Sequence, residues 1–424
     1  MAALGLEIFE RGQLPRWARA RQRLYSGEVG DVAAAVAAAF RDPEVEAALR
    51  PGARVAIGAG SRGIDRYAEV IAAVVAQVRQ RGAVPFVFPA MGSHGGATAQ
   101  GQAAVLRHYG VTEAEVGAPI RASMETVELG AVEGGVPVHF DRLAAEADVI
   151  VPVNRVKPHT DFHGEIESGL MKMIAIGMGK QRGADTFHSR GFDTFAALIP
   201  AVARLSLARL PLRFGVALLE NGQGRLARIE AVPAARIEAR ERELLGLARE
   251  WMARLPGRAV DVLVIDRLGK DISGIGADSN VINRYYTGSV PLPPRIQRIV
   301  VRGLTEATEG NASGLGQADI ALRRAVEAMD AASTYMNCIT AKTPEGARVP
   351  LTVDTDRQAL FVALACCVQV DTPQARLMRI EDTKHLETLW LSETLLGDLR
   401  GDPRLEALEE PRPIAFDAAG MFVD

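Results

Sequence analysis

Three short apolar runs in the first 155 residues, ARVAIGAG (53–60), VPFVFPA (84–90) and ADVIVPV (147–153), each deliver the chain into a polar loop. A helix-like segment from Asp65 to Arg81 separates the first two, and another opens in GSHGGATAQGQAAVLRHYG after the second. Apolar runs this short, alternating with helices, fit strands buried on both faces of a parallel sheet. The chain is therefore expected to be α/β, with two α/β domains of mostly parallel sheets and an active-site cleft between them. Ligands of such sheets sit beyond the carboxyl ends of the strands. Ser61, Arg62, His94 and the stretch VNRVKPHTDFHGEIESGLMK (153–172) all fall there.

Near Pro256-Gly257 a helix-like segment stops and a fresh strand-like run, VDVLVID, begins. This puts an N-terminal domain at 1–256 and a C-terminal domain at 257–404, with the tail 405–424 expected to pack back on the first. The second half repeats the alternation with RIVVRGL, the helix-like QADIALRRAVEAMDAAS and the apolar run around Cys366.

Composition removes several function classes. Apolar residues make up 48% and charged residues 24%, as in compact globular proteins. The 49 basic and 52 acidic residues are interspersed, and no basic cluster is interleaved with aromatics, so nucleic acid is not an expected partner. Three cysteines without CxxC spacing point to reduced, buried thiols and a cytoplasmic protein. No stretch has the apolar length of a bilayer span, and the N-terminus lacks an uninterrupted apolar export core.

Of the seven histidines, His108, His139 and His385 read as surface or packing residues. His94 sits among glycines in a strand-to-helix loop, where the backbone can approach a ligand and Thr98 can cap the next helix. A plain glycine-rich turn explains it equally well, and GSHGGA matches neither the P-loop nor the dinucleotide fingerprint. His159 and His163 are four apart and would share a helix face suited to a metal. Gly164 argues against that helix, and a solvated loop is the blander reading. Lys172 lies among Leu170, Met171, Met173, Ile174 and Ile176. Burial there would lower its pKa and free its amine for covalent chemistry; the alternative is a lysine snorkelling from a helix edge. Glycines 177, 179 and 183 interrupt any helix onward to His188, so Lys172 and His188 can fold back toward one ligand.

Taken in order, these residues resemble the nickel-dependent lactate racemase (LarA-like) family of hydroxyacid racemases and epimerases. GSH (92–94) resembles its glycine-flanked catalytic histidine, KPH (157–159) the start of its second histidine loop, and SGLMK (168–172) its cofactor-tethering motif; His188, sixteen residues on, stands where the nickel ligand is expected. The resemblance implies a nickel-pincer nucleotide (pyridinium-3-thioamide-5-thiocarboxylic acid mononucleotide) joined to Lys172, with nickel held by His188. It implies His94 and His159 as catalytic acid/bases, and Arg62 and Lys270 as ligands of the substrate carboxylate. Enzymes that synthesise the cofactor become implied partners. The second loop departs from the family pattern in being longer and holding two histidines, which keeps His163 in reserve and admits a 2-hydroxyacid other than lactate.

The implied reaction removes the hydroxyl proton to a histidine and the α-hydrogen as hydride to the cofactor, through a 2-keto acid. Two other readings stand beside it. One is a metal hydrolase using His94, His159, His163 and His188 with Glu165 or Glu167 as base; the other is a non-catalytic nucleotide- or carbohydrate-binding protein.

Overall fold

A computed structural model describes residues 5–61, 63–286 and 292–424. The chain divides into two compact units, one formed by residues 25–252 and the other by residues 1–24 together with 253–424. The break after Met252 lies close to the expected Pro256. The expected first domain is corrected at its start, because the first 24 residues cluster with the C-terminal unit.

In the unit 25–252, the strands run in the order Val84–Pro89, Arg54–Ala59, Val149–Arg155, Phe214–Glu220, Leu226–Pro233. The first four are parallel and the last is antiparallel. Val55 stands opposite both Pro85 and Val149, which aligns the carboxyl ends of the three strands predicted from the sequence. Their side chains alternate between two cores. Val55, Ile57, Val151 and Val153 pack with Val70, Ile71, Val74 and Val78 of helix Tyr67–Gln80, whereas Ala56, Phe86, Phe88 and Ile150 face a second core containing Phe187, Phe195 and Ile199. Burial on both faces is why these runs are apolar throughout.

The C-terminal unit carries a nine-stranded sheet among the described residues. Its parallel part is ordered Leu351–Val353, Ile320–Leu322, Arg295–Val301, Ala259–Ile265, Leu377–Ile380. Antiparallel strands then follow, including Thr388–Ser392 and the N-terminal Arg16–Gln22. The helix-like segment 317–333 is corrected: Ile320–Leu322 is a buried strand, followed by short helices Arg323–Glu327 and Ala331–Thr340. Pairing between two parallel neighbours outweighs the helical pattern there. The run before Cys366 is the helix Asp356–Ala365; Cys338 is buried, while Cys366 and Cys367 are half-buried, and all three are free thiols.

The tail also differs from expectation. Leu405–Ala407 and Arg412–Pro413 pair with Arg16–Gln22, a strand of the C-terminal unit. Phe422 stacks near Trp17 and lies beneath Arg302 and Arg379, and Asp424 pairs with Arg379. An aromatic ring shared by two guanidinium groups gives this tail its anchor. No single helix among the described residues is long and apolar enough to cross a membrane. The pair Lys180–His188 and Phe192–Arg209, bent by 101°, passes that test only jointly.

Candidate active site

The loops after the three parallel strands meet on one segment, residues 169–188. Tyr67, fully buried, accepts the Gly60 N–H at 2.8 Å and donates to the Val153 carbonyl at 2.9 Å, tying the first loop to the end of the third strand. In the second loop, the Gly92 N–H donates to the Gly177 carbonyl at 2.9 Å. Asn154 Nδ2, from the third strand, donates to the Gly169 carbonyl at 2.8 Å.

His94 is exposed at the tip of the second loop, with its Nδ1 hydrogen-bonded to Ser61 Oγ of the first. The loop needs its glycines. Gly95 has φ +66°, and a Cβ there would lie 2.6 Å from the Gln102 backbone nitrogen. Thr98 caps the following helix as its position suggested, accepting the Gly101 N–H at 3.0 Å. From that helix Gln102 donates to the Gly92 carbonyl at 2.8 Å, and its Oε1 accepts from Lys180 Nζ at 3.1 Å. Lys180 also donates to the Pro89 carbonyl at 2.6 Å and pairs with Asp141 at 2.9 Å, with neither side chain exposed. This buried hub holds the root of the His94 loop, and the sequence reading missed it. The only signal was a lysine after two nearby glycines, in GMGK (177–180), indistinguishable from a helix start.

The loop carrying His159 and His163 is not helical. It closes on a two-way backbone pairing between Lys157 and Ser168, at 2.8 and 3.2 Å, and folds around the buried carboxylate of Glu167. Glu167 accepts the His159 N–H at 2.6 Å, the Gly164 N–H at 3.0 Å and Arg249 at 2.6 Å, with His163 Nδ1 at 3.3 Å. Burial alone raises this carboxyl, but the hydrogen bonds from His163, His159 and Gly164 and the Arg249 charge outweigh it and hold it below the usual range. An ionised, fully engaged carboxylate is a loop clamp rather than a general base. Glu165 is exposed and faces Arg242 at 3.2 Å. The two histidines thereby separate: His163 faces the clamp, while His159 Nδ1 accepts the Asp161 N–H at 3.0 Å and its ring lies 4.4 Å from that of Phe162.

Lys172 ends the short helix Leu170–Lys172, which widens at once into a π-helical turn, Met173–Gly177, closed by Met178 N–H to the Met173 carbonyl at 2.8 Å. Such turns recur at functional sites. The helix Lys180–His188 then starts afresh from Lys180 with φ 54°, so the glycine-rich break expected from the sequence is present. Lys172 and His188 are joined through aromatic rings. Lys172 Nζ lies 6.0 Å from the Phe162 centroid, Phe162 lies 5.4 Å from Phe195, and His188 lies 5.6 Å from Phe195 and 5.7 Å from Phe192. His159 lies 6.2 Å from Phe192. Phe162, Phe192 and Phe195 thus form a floor shared by all three residues, which sequence reasoning did not single out. An amine, an imidazole and flat apolar rings suit a planar aromatic cofactor that is covalently tethered and carries nickel.

Two candidates remain. Arg62 lies outside the described residues. Lys270 belongs to the C-terminal unit, where its amine donates to the Gly274 carbonyl and its N–H to Thr308 Oγ1 at 3.1 Å. The four histidines of the hydrolase reading do not form a three-ligand cluster; among the described residues such a cluster consists of Glu381, Asp382 and His385.

Residues 22–197, which span all four site positions from His94 to His188, match the family described as lactate racemase N-terminal domain. These residues are similar to that domain. The match is to the same family that the motifs resemble. The fold is similar to that of the lactate racemase apoprotein from Thermoanaerobacterium thermosaccharolyticum, at TM-score 0.51 and 11% identity, over 86% of this chain and 98% of that one. A protein from Thermotoga maritima aligns at TM-score 0.43 and 15% identity over 57% of this chain; the chain spans 64% of that protein's length. At these identities the likeness concerns the fold alone. A comparison with curated proteins gives no match.

Proposed function

We propose that this chain racemises or epimerises a 2-hydroxyacid, using a nickel-pincer nucleotide anchored on Lys172 with nickel held by His188. The observation that carries the proposal is the aromatic floor of Phe162, Phe192 and Phe195, against which Lys172, His159 and His188 all lie. When bound, the nucleotide supplies an acceptor and donor for the substrate's α-hydrogen as hydride, so that the carbinol passes through a 2-keto acid and back.

The protein's part is to move the hydroxyl proton. His159 Nδ1 accepts a backbone N–H, so the neutral ring carries its proton on Nε2; the ring acts as acid once it takes a second proton on Nδ1 in place of that hydrogen bond, and returns to a base with Nε2 free when it has donated. Asp161 Oδ2 lies 3.7 Å from Nδ1, on the side where that second proton would sit. His94 differs, because the Ser61 hydroxyl on its Nδ1 is able to donate or accept. With Nδ1 donating to Ser61, Nε2 presents a lone pair and serves as base. One acid and one base, exchanging roles with the direction of turnover, meet the need of a reaction that inverts a single carbon. In this proposal Arg62 holds the substrate carboxylate through its guanidinium fork.

The test is protein produced alongside the cofactor-synthesising enzymes, examined by intact mass, nickel content and incubation with single enantiomers of 2-hydroxyacids. The proposal expects a covalent adduct on Lys172, bound nickel and loss of optical purity. Interconversion by protein unmodified at Lys172 would sink it.

A further inference from the structure

Glu241, on helix Ile237–Trp251, is 1% exposed and lies beneath the turn that bears Lys172. Its Oε2 accepts the Met171 N–H at 2.9 Å, while its buried Oε1 has no hydrogen-bond partner among the described residues. Carboxylates are rarely buried without full pairing, because removal from water is costly, so this one calls for an explanation.

Gly169 gives the explanation its second half. A Cβ at Gly169 would stand 2.5 Å from the Glu241 carboxyl group. The Gly169 backbone is extended, with φ 174°, which any residue can adopt; the glycine is required for space. The Ser168-Gly169 turn is thus pinned from both sides, by Asn154 Nδ2 on the Gly169 carbonyl and by Glu241 on the Met171 amide. The amides at the start of a helical turn have no partner inside it, and a carboxylate from another helix fills that need.

We infer that Glu241 is a positioning residue for Lys172: by holding the amide of the preceding residue, its carboxyl group fixes the turn from which the lysine amine reaches the Phe162 side for covalent attachment. The inference rests on the proposed role of Lys172 as the cofactor anchor. Burial pushes the Glu241 carboxyl up to about 7, a cost retained at a position that an apolar side chain would fill more cheaply.

The experiment reads the Lys172 adduct by intact mass in wild type, Glu241→Gln and Glu241→Leu, each produced alongside the cofactor-synthesising enzymes and each with its thermal melt. Glu241→Gln keeps an acceptor oxygen and loads within about threefold of wild type. Glu241→Leu melts normally but loads about tenfold less or worse. Wild-type loading by a folded Glu241→Leu overturns the inference, and so does an equal loss in both variants. Amide hydrogen exchange on the wild type decides the matter even where Glu241→Leu does not fold. The Met171 amide is expected to exchange about a hundredfold more slowly than in an unstructured peptide; exchange at the unprotected rate overturns the inference. A wild type that carries no adduct counts against the anchor role itself, and the exchange measurement keeps the two failures apart.

Discussion

Lys180 Nζ lies 2.9 Å from Asp141 Oδ2, and both side chains are completely buried. Desolvation pushes the lysine below its ordinary value and the aspartate above its own, while their mutual attraction opposes both shifts. The pair ties the end of strand Val84–Pro89, the helix behind His94 and strand Val136–Asp141 to one point. Lys180→Met leaves the Asp141 carboxylate alone and is expected to cost about 3 to 5 kcal/mol. The double variant Lys180→Met/Asp141→Asn, which keeps the oxygen that caps Ala144, is expected to cost less than the single one. Urea unfolding of the two variants checks the order.

His159 and His163 are expected to respond differently to removal. His159→Ala should lower interconversion by about a hundredfold or more, as loss of an acid/base group does. His163→Ala removes a contact to the Glu167 clamp and should cost about 1.5 to 3 kcal/mol of stability, with turnover reduced far less. Chiral assay of cofactor-loaded variants beside their melting curves separates the roles, and the reverse pattern would move the catalytic assignment to His163.

Glu241 makes stability depend on pH with a definite sign. Its carboxyl group is raised from 4.5 to about 7 by burial, so the folded protein holds a proton that the unfolded chain releases between those values. The stabilisation is complete below about pH 4.5 and is lost as pH rises through about 7. Relative to Glu241→Gln, the wild type should therefore lose up to about 3 kcal/mol between pH 4.5 and 8. Parallel slopes of melting temperature against pH in the two proteins would contradict this.

Gly169→Ala places a methyl group 2.5 Å from the Glu241 carboxyl atoms, on a backbone that itself tolerates alanine. The expected cost is about 1 to 3 kcal/mol from overpacking. Combination with Glu241→Ala should recover part of it, which denaturation of the single and double variants measures.

The candidate residues were legible because they announce themselves within short windows. His94 lies between glycines, His159 follows a proline at a strand end, and Lys172 and His188 flank a glycine-interrupted segment. The residues that hold them in place were not legible. Phe162, Phe192 and Phe195 look like ordinary core aromatics, and Gln102, Asp141 and Glu167 look like ordinary polar residues. The segment 317–333 misled because a three-residue strand has too few positions to show a period of two.

From the sequence alone follow the buried parallel strands, the loops at their carboxyl ends and the order of the candidate residues, since apolar runs and glycine-bearing turns are local signals. Tertiary structure alone decided which charges are buried and what they hold. Lys180 reaches Pro89 across 91 residues, Glu241 reaches Met171 across 70, and Arg249 reaches Glu167 across 82. It also decided where the termini belong, by pairing Arg16–Gln22 with the tail inside the C-terminal unit. A buried charge is tolerated only where folding delivers its partner, and no local pattern encodes a partner that distant.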